Sequence, residues 1–166
     1  SLINTIQQPE KILKEYFGYD KFRPMQKDII EAVLNKKDTL VLMPTGGGKS
    51  ICYQVPALSM PGTCVVVSPL IALMKDQVEN LRKKGITAFS IHAGMNRKEV
   101  INTLKVVTES NCKFLYVSPE RLETSLFKEY LPALNVNLIA VDEAHCISQW
   151  GYDFRPPYLK IAELRD

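Results

Sequence analysis

Three stretches of this sequence combine residue types and spacings that can do chemistry, and the first two concern phosphate. Met43-Pro44-Thr45-Gly46-Gly47-Gly48-Lys49-Ser50 carries glycines that let backbone N–H groups turn inward around phosphate oxygens. Within it Lys49 reaches β- and γ-phosphates and Ser50 holds a magnesium ion. The general spacing GxxxxGK[ST] has a glycine where this chain has Met43, so a glycine-rich turn that merely precedes a helix stays open as an alternative.

The second stretch is the acidic pair Asp142-Glu143, which closes an apolar run. Carboxylates at the rim of a sheet are costly to bury without a task. Opposite a phosphate cradle they have one: Asp142 holds magnesium, directly or through water, and Glu143 orients or deprotonates the water that attacks the γ-phosphate. Solvated acids that end a strand are the alternative. The third stretch, residues 150–158, places four aromatics and Arg155 in nine residues. Exposed aromatics beside a cation form a stacking platform for unpaired bases, whereas a loop packed into the core would use the same residues for burial. Neither Ser50 nor Ser68 has the histidine and carboxylate neighbours that nucleophilic catalysis needs.

These groups require strands that end at a shared edge, and the pattern supplies them. Residues 39–42, 63–68, 87–91, 113–117 and 137–141 are strand-like, and the β-branched run 63–68 reads as a strand buried on both faces. Helical spacing predicts helices over residues 9–17, closed by Gly18, and from Pro24 onward, with Ile29, Ile30, Val33 and Leu34 inward. Further helices are predicted after the glycine loop, over 70–84, over 97–107 with Asn96 as N-cap, and over 120–130. The Arg82-Lys83-Lys84 run reads as a solvated helix end that suits the helix dipole. Strands alternating with helices across short connections imply an α/β fold, a doubly wound and mostly parallel sheet with helices on both faces. In such sheets ligands sit beyond the carboxyl ends of the strands, where Lys49 and Asp142 both fall.

Composition bounds the rest. At 166 residues and 46% hydrophobic, one domain with a sizeable core is expected over residues 1–166. A net charge of +3 says little about a nucleic-acid partner. The four cysteines, Cys52, Cys64, Cys112 and Cys146, lack metal spacing and read as reduced, packed thiols. No run approaches the ~20 apolar residues of a membrane span, so a soluble, cytoplasmic or otherwise intracellular protein is expected.

With these residues in view, the chain resembles RecQ-type, DEAH-box-like helicases of superfamily two. The phosphate loop and Asp142-Glu143-Ala144-His145 look like that superfamily's nucleotide site, in which position 43 is commonly not glycine. Leu13-x-x-x-Phe17-Gly18-x-x-x-Phe22-Arg23-x-x-Gln26 is similar to the RecQ N-terminal nucleotide motif at every spacing. The likeness continues through Val67-Ser68-Pro69-Leu70-Ile71-Ala72-Leu73-Met74-Lys75-Asp76-Gln77, Tyr116-Val117-Ser118-Pro119-Glu120-Arg121-Leu122 and His145-Cys146-Ile147-Ser148-Gln149-Trp150-Gly151-Tyr152-Asp153-Phe154-Arg155-Pro156.

The resemblance implies a RecA-like P-loop NTPase domain, the N-terminal part of the first motor domain and incomplete at its C-terminal end. The implied activity is 3′ to 5′ ATP-dependent DNA unwinding in recombination and repair, with ATP and Mg2+ bound. Tyr19 would stack on adenine, Arg23 and Gln26 would hydrogen-bond it, and Thr45, Gly46, Gly47, Gly48, Lys49 and Ser50 would hold the phosphates. Ser68, Pro69, Leu70, Met74, Pro119 and Arg121 would lie along a single-stranded DNA track. Trp150, Phe154 and Arg155 would sense that DNA, and His145 would link the ATP site to the rest of the motor. Tyr152 and Pro157 depart from the commonest family pattern, which has a histidine and an acid there. Implied partners are single-stranded DNA, duplex/single-strand junctions and a second RecA-like domain. On the residues alone, a kinase-like P-loop enzyme acting on a small molecule or nucleotide, or a non-catalytic ATP- or DNA-binding module, also remains open.

Overall fold

The computed structural model of the protein describes residues 8–34, 40–42 and 50–141. Its centre is a five-stranded, all-parallel sheet: β1 (Leu40–Leu42), β2 (Thr63–Val67), β3 (Ala88–Ile91), β4 (Phe114–Val117) and β5 (Val136–Val141). The strand order is β1-β5-β2-β4-β3, so β5 inserts between β1 and β2. Period-2 alternation divides the core. Val65, Val67, Leu115, Val117, Ile139 and Val141 pack on one face and Cys64, Val66, Phe114, Tyr116, Leu138 and Ala140 on the other.

Helices cover both faces. On one lie α3 (Ile51–Ser59) and α4 (Ile71–Lys83), which bury Tyr53, Ala57, Met74, Val78 and Leu81. On the other lie α5 (Arg97–Glu109), α6 (Pro119–Leu122) and α7 (Ser125–Tyr130), through Val100, Leu104, Leu122 and Phe127. Each such side chain removed from water contributes roughly 1.5–3 kcal/mol. The N-terminal segment, α1 (Pro9–Ile12) and α2 (Pro24–Leu34), forms a smaller cluster with Val55 of α3 through Ile12, Leu13 and Ile30. Ile30 is buried inward as its spacing predicts, and Leu34 packs against that cluster.

Several expectations need correction. The helix expected over 9–17 is α-helical only to Ile12 and continues as a π-helical segment, Leu13–Phe17, before Gly18 ends it in the left-handed region. The helix expected over 120–130 is two short helices. Thr124 separates them, accepting a hydrogen bond from the Phe127 N–H and donating one to the Arg121 carbonyl, a cap that competes with helix continuation. The helix expected from residue 70 begins at Ile71, and Leu70, at its N-cap in extended backbone, is 50% exposed. Arg82 is not simply solvated. Its Nε donates to the Ala88 carbonyl at 2.8 Å and its guanidinium lies 5.0 Å from the Phe89 ring centroid.

Asn96 caps α5 as expected, in a reciprocal capping box with Glu99. Cys52, Cys64 and Cys112 are free, buried thiols; burial pushes the Cys112 thiol up to about 11, which keeps it protonated and inert at neutral pH. Cys146 lies outside the described residues. Among the described residues no helix is long and apolar enough to cross a membrane.

Candidate functional site

Parallel pairing brings the carboxyl ends of all five strands to one level. The last partners are Leu42↔Val141, Val67↔Val141, Val67↔Val117 and Ile91↔Val117. The chain therefore leaves adjacent strands β1 and β5 immediately before Met43 and immediately before Asp142. This is the sheet geometry that a paired phosphate loop and acidic pair require.

Ser50 stands at the amino end of α3, and among the described residues no side chain caps that end. A helix start favours an anion, and a hydroxyl there suits a metal held against phosphate, so Ser50, alone of the expected phosphate and metal residues among those described, fits a magnesium nucleotide. The Ser50 Oγ accepts a hydrogen bond from Gln77 Nε2 of α4 at 3.4 Å. Gln77 Oε1 in turn accepts from Gln54 Nε2 at 3.1 Å, and the same Gln54 nitrogen donates to the Tyr116 hydroxyl at 3.2 Å. The Tyr116 and Tyr53 hydroxyls are 2.7 Å apart. Gln54, Tyr53 and Tyr116 are at most 3% exposed, so this polar chain runs from the partly buried Ser50 and Gln77 to a fully buried end in the middle of the sheet. Gln54, Gln77, Tyr53 and Tyr116 were not among the predicted site residues. One signal was present for Gln54, four residues after Ser50 and so on the same helix face.

The residues expected to recognise adenine sit between the π-helical segment and α2. Tyr19 is 58% exposed, next to left-handed Gly18, while Phe22 packs against the small N-terminal cluster. Gln26 is buried, and its Oε1 accepts from the Arg23 backbone N–H at 2.9 Å. That bond fixes the amide, with its oxygen committed to the chain and its NH2 end turned to donate. The Arg23 side chain is exposed.

The residues expected along a track divide into two kinds. Leu70 and Pro69 reach the surface, whereas Met74 is fully buried in the core and Pro119 is buried at the start of α6. Ser68 and Ser118, which follow β2 and β4 directly, bury hydroxyls that have no hydrogen-bond partner among the described residues. An unsatisfied buried hydroxyl costs on the order of 1–3 kcal/mol, which makes this edge a place where a polar ligand group is favoured. His92, after β3, has an unpartnered Nδ1; burial, then the Lys75 charge, hold its pKa below the ordinary histidine value.

Arg121 directs its donors at the chain itself. Its guanidinium donates to the carbonyls of His92, Ala93 and Met95, and so clamps the loop between β3 and α5. Replacing Arg121 with alanine is expected to cost about 1–2 kcal/mol, the value of charged hydrogen bonds discounted for partial exposure. Amides of residues 92–96 should then exchange hydrogen faster. Arg121→Lys should recover less than half of the loss, because an ammonium cannot reproduce the planar fork. Wild-type exchange in the alanine variant would show that the loop holds itself.

Thr45, Gly46, Gly47, Gly48, Lys49, Asp142, Glu143, His145, Trp150, Phe154 and Arg155 lie outside the described residues, as do the departures Tyr152 and Pro157.

Comparison with known proteins gives a consistent picture. The family pattern described as DEAD/DEAH box helicase matches residues 23–165. The chain is 48% identical over 160 residues to the ATP-dependent DNA helicase RecQ of Bacillus subtilis (strain 168), covering 96% of this chain and 27% of that protein. It is 45% identical over 166 residues to the ATP-dependent DNA helicase RecQ of Haemophilus influenzae, covering 99% of this chain and 27% of that one. Among solved structures, the DEAD-box helicase Mss116 bound to ssRNA and UDP-BeF superposes with a TM-score of 0.68 at 16% identity, over 98% of this chain and 36% of that one. A hypothetical ATP-dependent RNA helicase from Sulfolobus tokodaii gives 0.65 at 23% identity, over 92% and 45%. At these identities the structural likeness is one of fold, that of RecA-like helicase domains. The chain spans 27% of the length of each of the two curated relatives.

Proposed function

Because the chain belongs to the DEAD/DEAH box helicase family, we propose that it is the nucleotide-gripping part of a RecQ-type, ATP-dependent 3′ to 5′ DNA helicase that works in recombination and repair. The observation that supports this most is a 48% identity extending over 96% of the chain. Residues 1–166 then form the front of the first RecA-like motor domain, and a second RecA-like domain completes the site. On its own this part hydrolyses ATP weakly and does not unwind DNA, since a partner domain's arginine finger contributes roughly 10³ to 10⁵ in rate.

In this reading Tyr19, Arg23 and Gln26 select adenine, while the backbone of residues 45–49 and the Lys49 ammonium hold the phosphates. A magnesium ion held by Ser50 and Asp142 would neutralise charge on the β- and γ-phosphate oxygens. Glu143 orients and deprotonates the attacking water, and His145 connects the site to the rest of the motor. Single-stranded DNA runs past residues 68–76 and 119–121 and against Trp150, Phe154 and Arg155. In this reading the protein acts inside the cell, at duplex/single-strand junctions.

The test is ATP turnover by the intact protein with and without a single-stranded oligonucleotide. Wild type should be stimulated severalfold, and Trp150→Ala should lose most of the stimulation while keeping the unstimulated rate within the same order of magnitude. A wild type indifferent to DNA would overturn the helicase reading and favour a kinase-like P-loop enzyme.

A further inference from the structure

We propose that Gln77 is a positioning residue through which helix α4 reports the presence of a nucleic-acid strand to Ser50, the residue expected to hold the metal. The inference rests on the helicase reading above and adds to it a side chain with no assigned role there. Its carrier is the hydrogen-bonded chain Tyr53, Tyr116, Gln54, Gln77, Ser50, buried at its inner end and partly buried at Gln77 and Ser50, which joins three elements, β4, α3 and α4.

The direction of each bond is constrained. Gln54 Nε2 donates to both Gln77 Oε1 and the Tyr116 hydroxyl, so the Gln77 oxygen is held inward and its NH2 must face Ser50. A serine oxygen has two lone pairs; one accepts from Gln77, and the other stays available to a metal with the hydroxyl hydrogen turned away. Gln77 therefore orients the Ser50 hydroxyl without competing for the metal-facing lone pair.

The distances show which link is sensitive. The inner contacts, at 2.7, 3.1 and 3.2 Å, lie within ordinary hydrogen-bond range. The Gln77 to Ser50 contact, at 3.4 Å, lies at its long end, where a displacement of a few tenths of an ångström makes or breaks it. Gln77 is half-buried on α4, whose first turn sits at the carboxyl edge. There Leu70 is 50% exposed and the neighbouring Ser68 buries an unpartnered hydroxyl. A strand laid along that edge contacts the start of α4, and the movement reaches Ser50 through Gln77. Met74 and Val78, buried on the same helix, pack α4 onto the sheet along its length and oppose fraying.

The experiment measures binding of a fluorescent, non-hydrolysable ATP analogue to the intact protein, with and without an oligothymidylate, and takes the ratio of the two dissociation constants. Wild type should show a ratio of at least ~5, the low end of ordinary allosteric coupling. Gln77→Met keeps length and removes the donor, and should bring the ratio close to one. Gln54→Met releases the Gln77 amide and should shift the ratio in the same direction, a second route should one variant fold poorly. A merely structural defect would weaken both affinities alike and leave the ratio intact. A wild-type ratio above one that persists in Gln77→Met overturns this inference alone. A wild-type ratio of one overturns both the inference and the DNA-coupled reading beneath it.

Discussion

Replacing Lys49 with alanine is expected to lower ATP turnover by the intact protein by at least ~10²-fold, the cost of losing one preorganised charge from a transition state of this kind. Phosphoryl transfer involves little covalent work by the protein, so positioning and charge stabilisation account for nearly all of the acceleration. Lys49 is the sole cation within residues 43–50, the stretch that follows β1 and leads into α3. Lys49→Arg should not rescue turnover, because a planar guanidinium is bulkier than the compact ammonium and cannot occupy the same point between two phosphates. Steady-state turnover at saturating ATP and magnesium, with single-stranded DNA present, reads the effect. Retention of more than about a tenth of the wild-type rate would remove Lys49 from the catalytic set, given the tenfold change expected per 1.36 kcal/mol of barrier.

The largest effect on stability should come from Gly62→Ala. Gly62 precedes β2 with φ of 105°, a conformation that L-residues rarely adopt. An added Cβ would also collide with the backbone oxygen of Asn135 and come within 3.3 Å of the Asn135 side chain. That oxygen cannot step aside, because it accepts the Thr63 N–H at 2.7 Å at the point where β2 begins to pair with β5. Relief would require moving the start of β5, the strand that ends just before Asp142. Left-handed strain and a lost ladder bond together cost about 3 kcal/mol, which lowers the unfolding midpoint of this domain by roughly 6–12 °C. Thermal unfolding of the intact protein, followed for this domain, tests it. A shift under about 2 °C would mean that the β2 entry is more pliant than its hydrogen bonding implies.

Local pattern carried much of the fold. The β-branched run at 63–68, the helical spacing over 70–84 and the Asn96 N-cap are read off neighbours in sequence, and the elements follow them closely. The break at Thr124 was not legible, because threonine is compatible with a helix and only its two hydrogen bonds turn it into a cap. Arg121 was legible as a cation near the expected track but not as a clamp, since its three acceptors lie 26 to 29 residues away. The same holds for Gln77. Its partners Ser50 and Gln54 are 27 and 23 residues distant, and each looks like an ordinary polar residue on its own helix.

By itself, then, the sequence determined the alternation of strands and helices, and it displayed the residue types from which a phosphate loop and an acidic pair are read, all of them short-range patterns. Only the tertiary structure decided which strand ends and which helices become neighbours. Inserting β5 between β1 and β2 sets the ends that precede Met43 and Asp142 side by side, and packing α4 against the sheet delivers Gln77 to Ser50. The physical reason is range. Backbone propensity and side-chain periodicity act over a few residues, whereas a hydrogen bond between buried side chains depends on which elements the hydrophobic core has already brought into contact.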